Sequence, residues 1–206
     1  MGKQIIVAIG RESGSGGHYI ADSLAERLGI DHYDREILEG AAALGGYSLD
    51  FVNKMDEKRR NILFNRRLGE HSTAMEDHVA AKTFQFIQRE AEAGKSFVVV
   101  GRCAEYILQD CPNMVSIFIC GDDMPKIRRT MERKNLNERA AAHYNRATDR
   151  QRRKYHDHFC DTEWGDREGY DLIINSSTMG IEHTIDALEC YVKEFMEFVA
   201  NEANED

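Results

Sequence analysis

Residues 4–29 read QIIVAIGRESGSGGHYIADSLAERLG, and this stretch decides the fold. Gln4–Ile9 is a continuous apolar run with β-branched residues, which is typical of a central strand buried on both faces. Apolar residues then recur at intervals of four from Ile20 to Leu28 and indicate an amphipathic helix that Gly29 ends. A strand, a glycine-rich turn and a helix, in this order, form the context that a phosphate-binding loop requires.

The turn between the predicted strand and helix, Gly10–Gly17, holds four glycines in eight residues. Small residues let successive backbone N–H groups approach phosphate oxygens, and the helix N-terminus adds positive potential. A glycine-rich turn also serves as a simple connection, but its place after a buried strand favours phosphate binding. A dinucleotide-binding fingerprint fits less well. Asp34 lies at a suitable distance for a ribose contact, but the third glycine of that fingerprint falls at the large Tyr19.

The composition is that of a globular protein, with 42% hydrophobic and 31% charged residues among 206. The apolar run near the N-terminus is too short for a signal peptide, and no stretch approaches the roughly 20 apolar residues of a membrane span. Five cysteines without a CxxC pair suit reduced thiols better than a disulfide framework. The sequence therefore predicts a cytoplasmic protein without a membrane partner.

The formal net charge is −9, but the positive charge is concentrated in one segment. Between Pro125 and Tyr155, eleven Lys or Arg residues stand against three Asp or Glu residues, a local balance of +8. Nucleic-acid binding usually needs a broad basic surface, so we expect no nucleic-acid partner. An acidic protein with one basic segment indicates instead a specific anionic ligand.

Three further apolar stretches predict buried strands at Ser96–Val100, Met114–Ile119 and Asp171–Ile174, and Ile30–Tyr33 is a shorter extended segment. Apolar strands separated by helices indicate a mostly parallel sheet covered on both sides, with ligands beyond the carboxyl ends of the strands. Residues 34–94 have a helical pattern, with Ser48 as a candidate N-cap and a long apolar period in Thr73–Ala93. Further helical patterns lie at Met124–Lys134, Glu138–Tyr155 and 181–199.

One cluster, His156-x-His158-x-Cys160, has the residue types of a metal site. In an extended segment the three side chains share a face, whereas on a helix they diverge. No second group of ligands has matching spacing, so we expect no bound metal at this cluster.

Five segments together resemble the cytidylate kinase-like family, relatives of the bacterial cytidylate kinases among the P-loop nucleoside monophosphate kinases. They are GRESGSGGHYIADSLAERLG, HYDREIL, VVVGRCAEYIL, DRQRRKYHDHF and YDLIINSS, and their order and spacing carry the resemblance. The resemblance implies one domain over 1–206, with a P-loop NTPase-type three-layer α/β/α fold and a five-stranded parallel sheet. It implies a core of 1–33, 95–135 and 170–206, a helical acceptor-binding insertion at 34–94 and an Arg-rich lid at 136–169.

The resemblance also implies an ATP-dependent kinase that uses Mg²⁺ and transfers the γ-phosphate to a nucleoside monophosphate, with CMP or dCMP as the expected acceptor. One departure concerns the lysine of a standard Walker loop, whose position is Gly17, and the hydroxyl residues that follow it, whose positions are His18 and Tyr19. A backbone amide binds phosphate but supplies no full positive charge. The expected phosphate contacts are Arg11, Ser13, Gly14, Ser15, Gly16, Gly17 and His18.

Arginines of the lid are the expected replacement for the missing lysine. Arg139, Arg146, Arg150 and Arg153 fall at intervals of seven, four and three and share one face of a continuous helix. Charge runs are most often solvated surfaces, but the family places catalytic arginines in this region. Arg150 and Arg153 are therefore predicted to contact the transferring phosphate. His18 is a weaker replacement, since histidine is charged only when it is protonated.

The resemblance assigns further roles to residues that follow the predicted strands. Arg102 is expected to hold the phosphate of the acceptor, and its alternative is a surface arginine at the start of a helix. Arg35 is a second, weaker acceptor contact. Asp34 is predicted to be catalytic, near the acceptor phosphate and Mg²⁺, while a turn or N-cap role fits it equally well.

At the end of the last predicted strand, Asn175, Ser176 and Ser177 are expected near the donor base, or they cap the helix that follows. The leading hypothesis is a kinase whose partners are small-molecule nucleotides. Two alternatives stay open. One is a nucleotide- or phosphometabolite-binding protein without transfer activity, for which Gly17 is the evidence. The other is a kinase with a different acceptor, because HYDREIL differs from the acceptor segment of cytidylate kinases. The sequence does not decide between a monomer and a homodimer.

Overall fold

A computed structural model describes residues 4–61 and 71–202. Within these residues the sheet consists of β1 (Ile6–Arg11), β2 (Asp31–Tyr33), β3 (Phe97–Val100), β4 (Met114–Cys120) and β5 (Leu172–Asn175). The strand order is β2-β3-β1-β4-β5, and β1 pairs in parallel with both β3 and β4, as β4 does with β5. The predicted parallel five-stranded α/β fold is confirmed.

Helices follow each strand, as expected when parallel strands are joined by crossovers. A single turn of 3₁₀-helix at Arg167–Gly169 precedes β5. The α-helices are α1 (Gly17–Leu28), α2 (Arg35–Gly45), α3 (Leu49–Asn61), α4 (His71–Glu92), α5 (Ala104–Ile107), α6 (Asp123–Lys134), α7 (Glu138–Phe159), α8 (Ser176–Met179) and α9 (Ile181–Glu202).

The chain forms two compact units, of which the first is Met1–His32 together with Lys95–Asp206 and the second is Tyr33–Gly94. In the first unit, alternate residues of β1 such as Val7 and Ile9 pack with Leu24 of α1 and Leu188 of α9. The intervening residues of β1 are also fully buried. Burial on both faces explains why this strand is a continuous apolar run rather than an alternating one.

In the second unit, α2, α3 and α4 pack around Leu38, Ala42, Val52 and Val79. The hydroxyl oxygen of Ser48 accepts a hydrogen bond of 3.2 Å from the backbone N–H of Phe51, so the predicted N-cap is confirmed. The long apolar period in the predicted helix Thr73–Ala93 corresponds to α4.

The observed β1 ends two residues later than the predicted strand. Gly10 and Arg11 pair with Phe118 and Ile119 of the longer strand β4, and this pairing keeps them in the sheet. The glycine-rich turn is therefore shorter than Gly10–Gly17 and begins at Glu12.

The helix α7 runs four residues beyond the predicted end at Tyr155, as far as Phe159. His156 and His158 consequently lie on a helix and diverge. The side chain of His156 is buried and that of His158 is exposed, so the extended arrangement in which the three side chains would share a face does not form. Over residues 4–61 and 71–202, no helix combines the length and the apolar character needed to cross a bilayer.

Candidate phosphate-binding site

The turn between β1 and α1 needs glycine at two positions. Gly14 and Gly16 have φ angles of 80° and 84°, in the left-handed region that favours glycine. A Cβ atom on Gly14 would lie 2.5 Å from the carbonyl oxygen of Lys126, and one on Gly16 would overlap the side chain of Ile181. Glycine at both positions therefore lets the turn pack against α6 and the start of α9.

The same turn presents backbone N–H groups that the protein does not use. For Gly14, Gly16 and His18, no acceptor lies within the described ranges 4–61 and 71–202. Gly16 is the N-cap residue of α1, where no side chain makes a capping hydrogen bond. Unpaired N–H groups at a helix N-terminus, supported by the helix dipole, are suited to bind a phosphate group.

Gly17, which stands where a Walker loop has lysine, is tightly enclosed. A Cβ atom on Gly17 would lie 2.6 Å from the Cβ of Arg11. A lysine therefore does not fit here unless the end of β1 moves. At the next position the side chain of His18 is exposed, and its ring centroid lies 5.6 Å from that of His32.

The turn is held in place by side chains of α7 and of the residue after β5. The backbone N–H of Ser13 donates to Oδ1 of Asp149 at 2.6 Å, and the hydroxyl of Ser13 donates to Oδ1 of Asn145 at 3.0 Å. The hydroxyl of Ser176 donates to the carbonyl oxygen of Ser15 at 2.6 Å. The hydroxyls of Ser13 and Ser15 both donate within the protein, so phosphate binding falls mainly to the backbone.

The guanidinium of Arg129, on α6, lies beside the glycine turn. It has no ion pair among the described residues. Its Nη1 lies 3.8 Å from the position that a Cβ on Gly16 would take, and its Nη2 donates to the hydroxyl of Ser177 at 3.5 Å. Its Nε is buried and has no hydrogen-bond partner in the described part of the chain. Burial lowers the pKa of Arg129, but an arginine side chain stays charged. A buried and unpaired charge is costly unless a ligand compensates it.

Lys126, one turn earlier on α6, is by contrast neutralised. Its Nζ lies 2.8 Å from Oε2 of Glu12, which also accepts the backbone N–H of Gly121 at 3.0 Å. Burial works against the ammonium charge, but the hydrogen bond to Glu12 prevails and raises the pKa of Lys126. Lys126 therefore ties α6 to the turn, and Arg129 is the cation that remains for a ligand.

The face of α7 that contacts the turn consists of Asn145, Asp149 and Arg152. Nη1 of Arg152 donates to the carbonyl oxygen of Arg11 at 2.9 Å and lies 3.4 Å from Oδ1 of Asp149. Burial raises the pKa of Asp149, while the charge of Arg152 and the N–H of Ser13 oppose that rise. These residues position the turn rather than reach for a ligand.

The arginine stripe predicted as catalytic lies beside this inner face. Arg139, Arg146 and Arg150 are exposed, and the guanidinium of Arg153 lies 5.6 Å from the centroid of the Trp164 ring. The stripe does share a continuous helix, as expected. Its side chains point to solvent or to Trp164, so the structure does not bring them to the glycine turn.

Arg102 lies in an unusual backbone segment after β3. Gly101, Arg102 and Cys103 have φ angles of 74°, 63° and 54°, so three consecutive residues are left-handed. Such strain in residues other than glycine is concentrated at functional sites. A Cβ on Gly101 would overlap Nη1 of Arg11, which shows that the side chain of Arg11 extends from β1 to this turn.

A family comparison agrees with the geometry of the turn. The model of the cytidylate kinase-like family matches residues 6–178, most of the chain. The chain belongs to the cytidylate kinase-like family. No protein of curated function matches it at a significant level.

Solved structures of similar fold include an uncharacterized protein and two small-molecule kinases. An uncharacterized protein from Eubacterium ventriosum is 36% identical, with a TM-score of 0.72, over 92% of this chain and 99% of the other. A shikimate kinase from Bacteroides thetaiotaomicron is 12% identical, with a TM-score of 0.53, over 92% and 98% of the two chains. A gluconokinase from Sinorhizobium meliloti is 12% identical, with a TM-score of 0.52, over 98% of each chain. At these low identities the two kinases show the fold alone.

The family resemblance assigns catalysis to Asp34 and acceptor binding to Arg35. Both residues belong to the second unit of this cytidylate kinase-like chain. Asp34 stands at the N-cap position of α2, but its exposed side chain makes no capping hydrogen bond. The side chain of Arg35 lies outside the described part of the protein. The proposed roles of both residues stay predictions.

The three residues expected near the donor base cap the helix α8 or support neighbouring turns in the structure. Oδ1 of Asn175 accepts the N–H of Ser177 at 2.9 Å and caps α8, and its Nδ2 donates to Asp122 at 2.8 Å. The hydroxyl of Ser177 accepts the N–H of Asp122 at 3.0 Å. The side chain of Ser176 is fully buried and supports the glycine turn. A contact with a nucleotide base stays a prediction for these residues.

Sequence reasoning missed Arg129, Glu12 and the inner face of α7. Arg129 lay inside the basic segment, but nothing distinguished it from its neighbours. A usable signal existed on α7, because Asn145, Asp149 and Arg152 share a face with the buried Ala141. Polar residues on the buried face of an amphipathic helix indicate contacts with another polar element.

Proposed function

We propose that this chain is an ATP-dependent kinase that transfers the γ-phosphate of ATP to a nucleoside monophosphate, with CMP or dCMP as the first candidate acceptor. The observation that carries the proposal is the glycine turn with its unused N–H groups and the unpaired guanidinium of Arg129 beside it. Membership of the cytidylate kinase-like family supports the kinase assignment.

In this proposal the amides of Gly14, Gly16 and His18 bind the β-phosphate of ATP. Arg129 supplies the positive charge that Gly17 lacks, because it enters from α6 on the same side as Gly16. A guanidinium that is already half-buried and held by Ser177 loses little freedom when phosphate arrives. The site is therefore prepared for an anion before the anion binds.

The transfer itself asks the protein for positioning and charge neutralisation. An oxygen of the acceptor phosphate attacks the γ-phosphorus, and the bond between that phosphorus and the β,γ-bridging oxygen breaks. The bridging electron pair leaves with ADP, whose new charge develops next to the amides of the turn and Arg129. Mg²⁺ enters with ATP as part of the substrate. Among the described residues, the turn offers no hydroxyl at the usual Mg²⁺ position, which is His18.

Positions for the acceptor come from the family resemblance. Arg102, in its left-handed turn, is the proposed ligand of the acceptor phosphate. The roles proposed for Arg35 and Asp34 are those that the resemblance implies, acceptor binding and catalysis. Arg150 and Arg153 are proposed to close over the transferring group as part of a lid at 136–169. Arg150 is exposed and makes no ion pair in the described part of the chain, so its guanidinium is available for this role.

A second candidate function is a nucleotide-binding protein without transfer activity. Gly17 favours it, because enzymes with a Walker loop use the lysine to neutralise charge during transfer. The charge of Arg129, which has no ion pair among the described residues, favours the kinase, since simple binding through the amides needs no additional cation.

The proposal is tested by measuring ADP release from ATP and Mg²⁺ in the presence of each nucleoside monophosphate and, separately, of shikimate and gluconate. We expect release above the hydrolysis background with CMP or dCMP. Stimulation by another acceptor alone would retain the kinase and replace its substrate. Measurable ATP binding without stimulation by any nucleoside monophosphate or other acceptor would favour the binding protein and contradict the proposal.

A further inference from the structure

Three buried ionisable side chains meet in the first unit, away from the residues assigned to phosphate. Glu105 of α5, His156 of α7 and Cys160 at the end of α7 are 6%, 3% and 8% exposed. Their ligand-type atoms all lie within 4.8 Å of one another. The proposed kinase mechanism uses none of the three.

The contact between His156 and Glu105 is short but is not a well-formed hydrogen bond. Nε2 of His156 lies 3.1 Å from Oε1 of Glu105, yet neither ring nitrogen of His156 has a hydrogen-bond partner of acceptable geometry in the described residues. Ligands of one tetrahedral zinc ion lie about 3.3–3.8 Å apart, and their lone pairs point at the metal rather than at one another. A short separation with poor hydrogen-bond alignment is the arrangement that metal coordination produces.

Neighbouring groups support the same arrangement. The hydroxyl of Tyr170 donates to Oε1 of Glu105 at 3.3 Å, as groups behind metal ligands commonly do. Cys103 forms a side-chain hydrogen bond with Cys160, so a second thiol lies next to the cluster.

We propose that Glu105, His156 and Cys160 bind one divalent transition-metal ion of the zinc type. The residue types are those of zinc sites, where Cys, His and carboxylate ligands combine. A Zn²⁺ ion with one carboxylate, one thiolate and one neutral imidazole has no net charge. That neutrality suits a buried site better than separate charges do.

Such an ion would fasten α7 to the turn after β3. Glu105 follows the left-handed segment Gly101–Cys103, and His156 and Cys160 lie at the C-terminal end of the helix. The sequence pattern His156-x-His158-x-Cys160 includes two of these ligands, but its third member, His158, is not one of them. On a helix, His156 and Cys160 are one turn apart and share a face, while His158 does not.

The test uses the full chain, purified without a metal-binding tag and dialysed against metal-free buffer with reductant. Elemental analysis after titration with Zn²⁺ is expected to give about one zinc per chain. Replacement by Co²⁺ is expected to give a thiolate-to-cobalt charge-transfer band, which reports a sulfur ligand directly.

Matched variants locate the ion. Cys160→Ser and His156→Asn are expected to abolish the stoichiometric zinc and the cobalt band. Cys190→Ser and His158→Asn change the same residue types at exposed positions and are expected to retain both. A folded wild-type chain that retains no zinc and shows no cobalt–thiolate band would overturn the proposal, and the three residues would then form only an ionic cluster. Retention of the band in a folded Cys160→Ser variant would overturn it equally. Neither result bears on kinase activity.

Discussion

Replacement of Arg129 by alanine is the perturbation that most sharply separates catalysis from stability in this protein. The side chain is half-buried beside Gly16, with its Nε buried, and has no ion pair among the described residues. A phosphate held by the turn would lie roughly 4–5 Å from it, and at an effective dielectric constant of about 20 the attraction is about 3–4 kcal/mol. Loss of that attraction corresponds to a fall in kcat/KM for ATP of roughly 10²–10³-fold.

Stability is expected to respond in the opposite sense. Because Arg129 is an uncompensated charge in the free protein, Arg129→Ala is expected to leave the Tm unchanged or to raise it. Arg128 is an exposed neighbour on the same helix, so Arg128→Ala is the control and is expected to leave kcat/KM nearly unchanged. Arg129→Lys is expected to recover part of the activity.

Steady-state kinetics with varied ATP and thermal unfolding of the same preparations measure both effects. The reasoning would be refuted by an Arg129→Ala variant that keeps kcat/KM within about threefold of the wild-type value, against the expected loss. A large fall in Tm without a fall in activity would show that Arg129 serves packing instead.

Three further substitutions test the turn. Gly14→Ala is expected to lower the free energy of unfolding by about 2–3 kcal/mol and to abolish ATP binding, because it places a side chain at a left-handed φ and 2.5 Å from the carbonyl oxygen of Lys126. Normal ATP affinity in that variant would contradict the turn geometry. Gly17→Lys, which supplies the Walker lysine, is expected to reduce turnover, because its Cβ would lie 2.6 Å from that of Arg11; a faster variant would contradict this. Ser176→Ala removes a fully buried hydroxyl whose one proton is shared between the carbonyl oxygens of Ser15 and Cys120, and it is expected to cost about 1–3 kcal/mol in chemical unfolding. Unchanged stability would contradict the supporting role.

The strand, turn and helix at the N-terminus were predictable because their signals are local. A continuous apolar run, consecutive glycines and an apolar period ending at Gly29 all lie within 26 residues, and each has one simple physical meaning. The end of β1 was not predictable, because it depends on the length of β4, a partner that is distant in the sequence. Strand ends are set by pairing, and pairing is a tertiary property.

The helix α7 shows a different limit of prediction from sequence. Its arginine stripe at Arg146, Arg150 and Arg153 is a true feature of one helical face, but the face that contacts the turn is Asn145, Asp149 and Arg152. The two faces differ by one residue, about 100° of rotation. Spacing alone does not reveal which face is buried, since the three residues of each face follow the same intervals of four and three.

Sequence reasoning did not identify Arg129 as a cation near the glycine turn. Its side chain reaches the turn from α6, so the deciding contact joins residues more than a hundred positions apart. No spacing rule covers such a contact. The packing of α6 against Gly14 brings the guanidinium close to Gly16. The glycine pattern alone does not reveal this packing.

The most direct measurement is the fate of the γ-phosphate of ATP. Wild-type protein is incubated with γ-labelled ATP, Mg²⁺ and CMP or dCMP, and the labelled products are separated and identified. The account predicts label in a nucleoside diphosphate formed from the acceptor, at a rate that depends on Arg129. Label found only in ATP and inorganic phosphate, with ATP nevertheless bound at the turn, would contradict the proposed transfer to a nucleoside monophosphate.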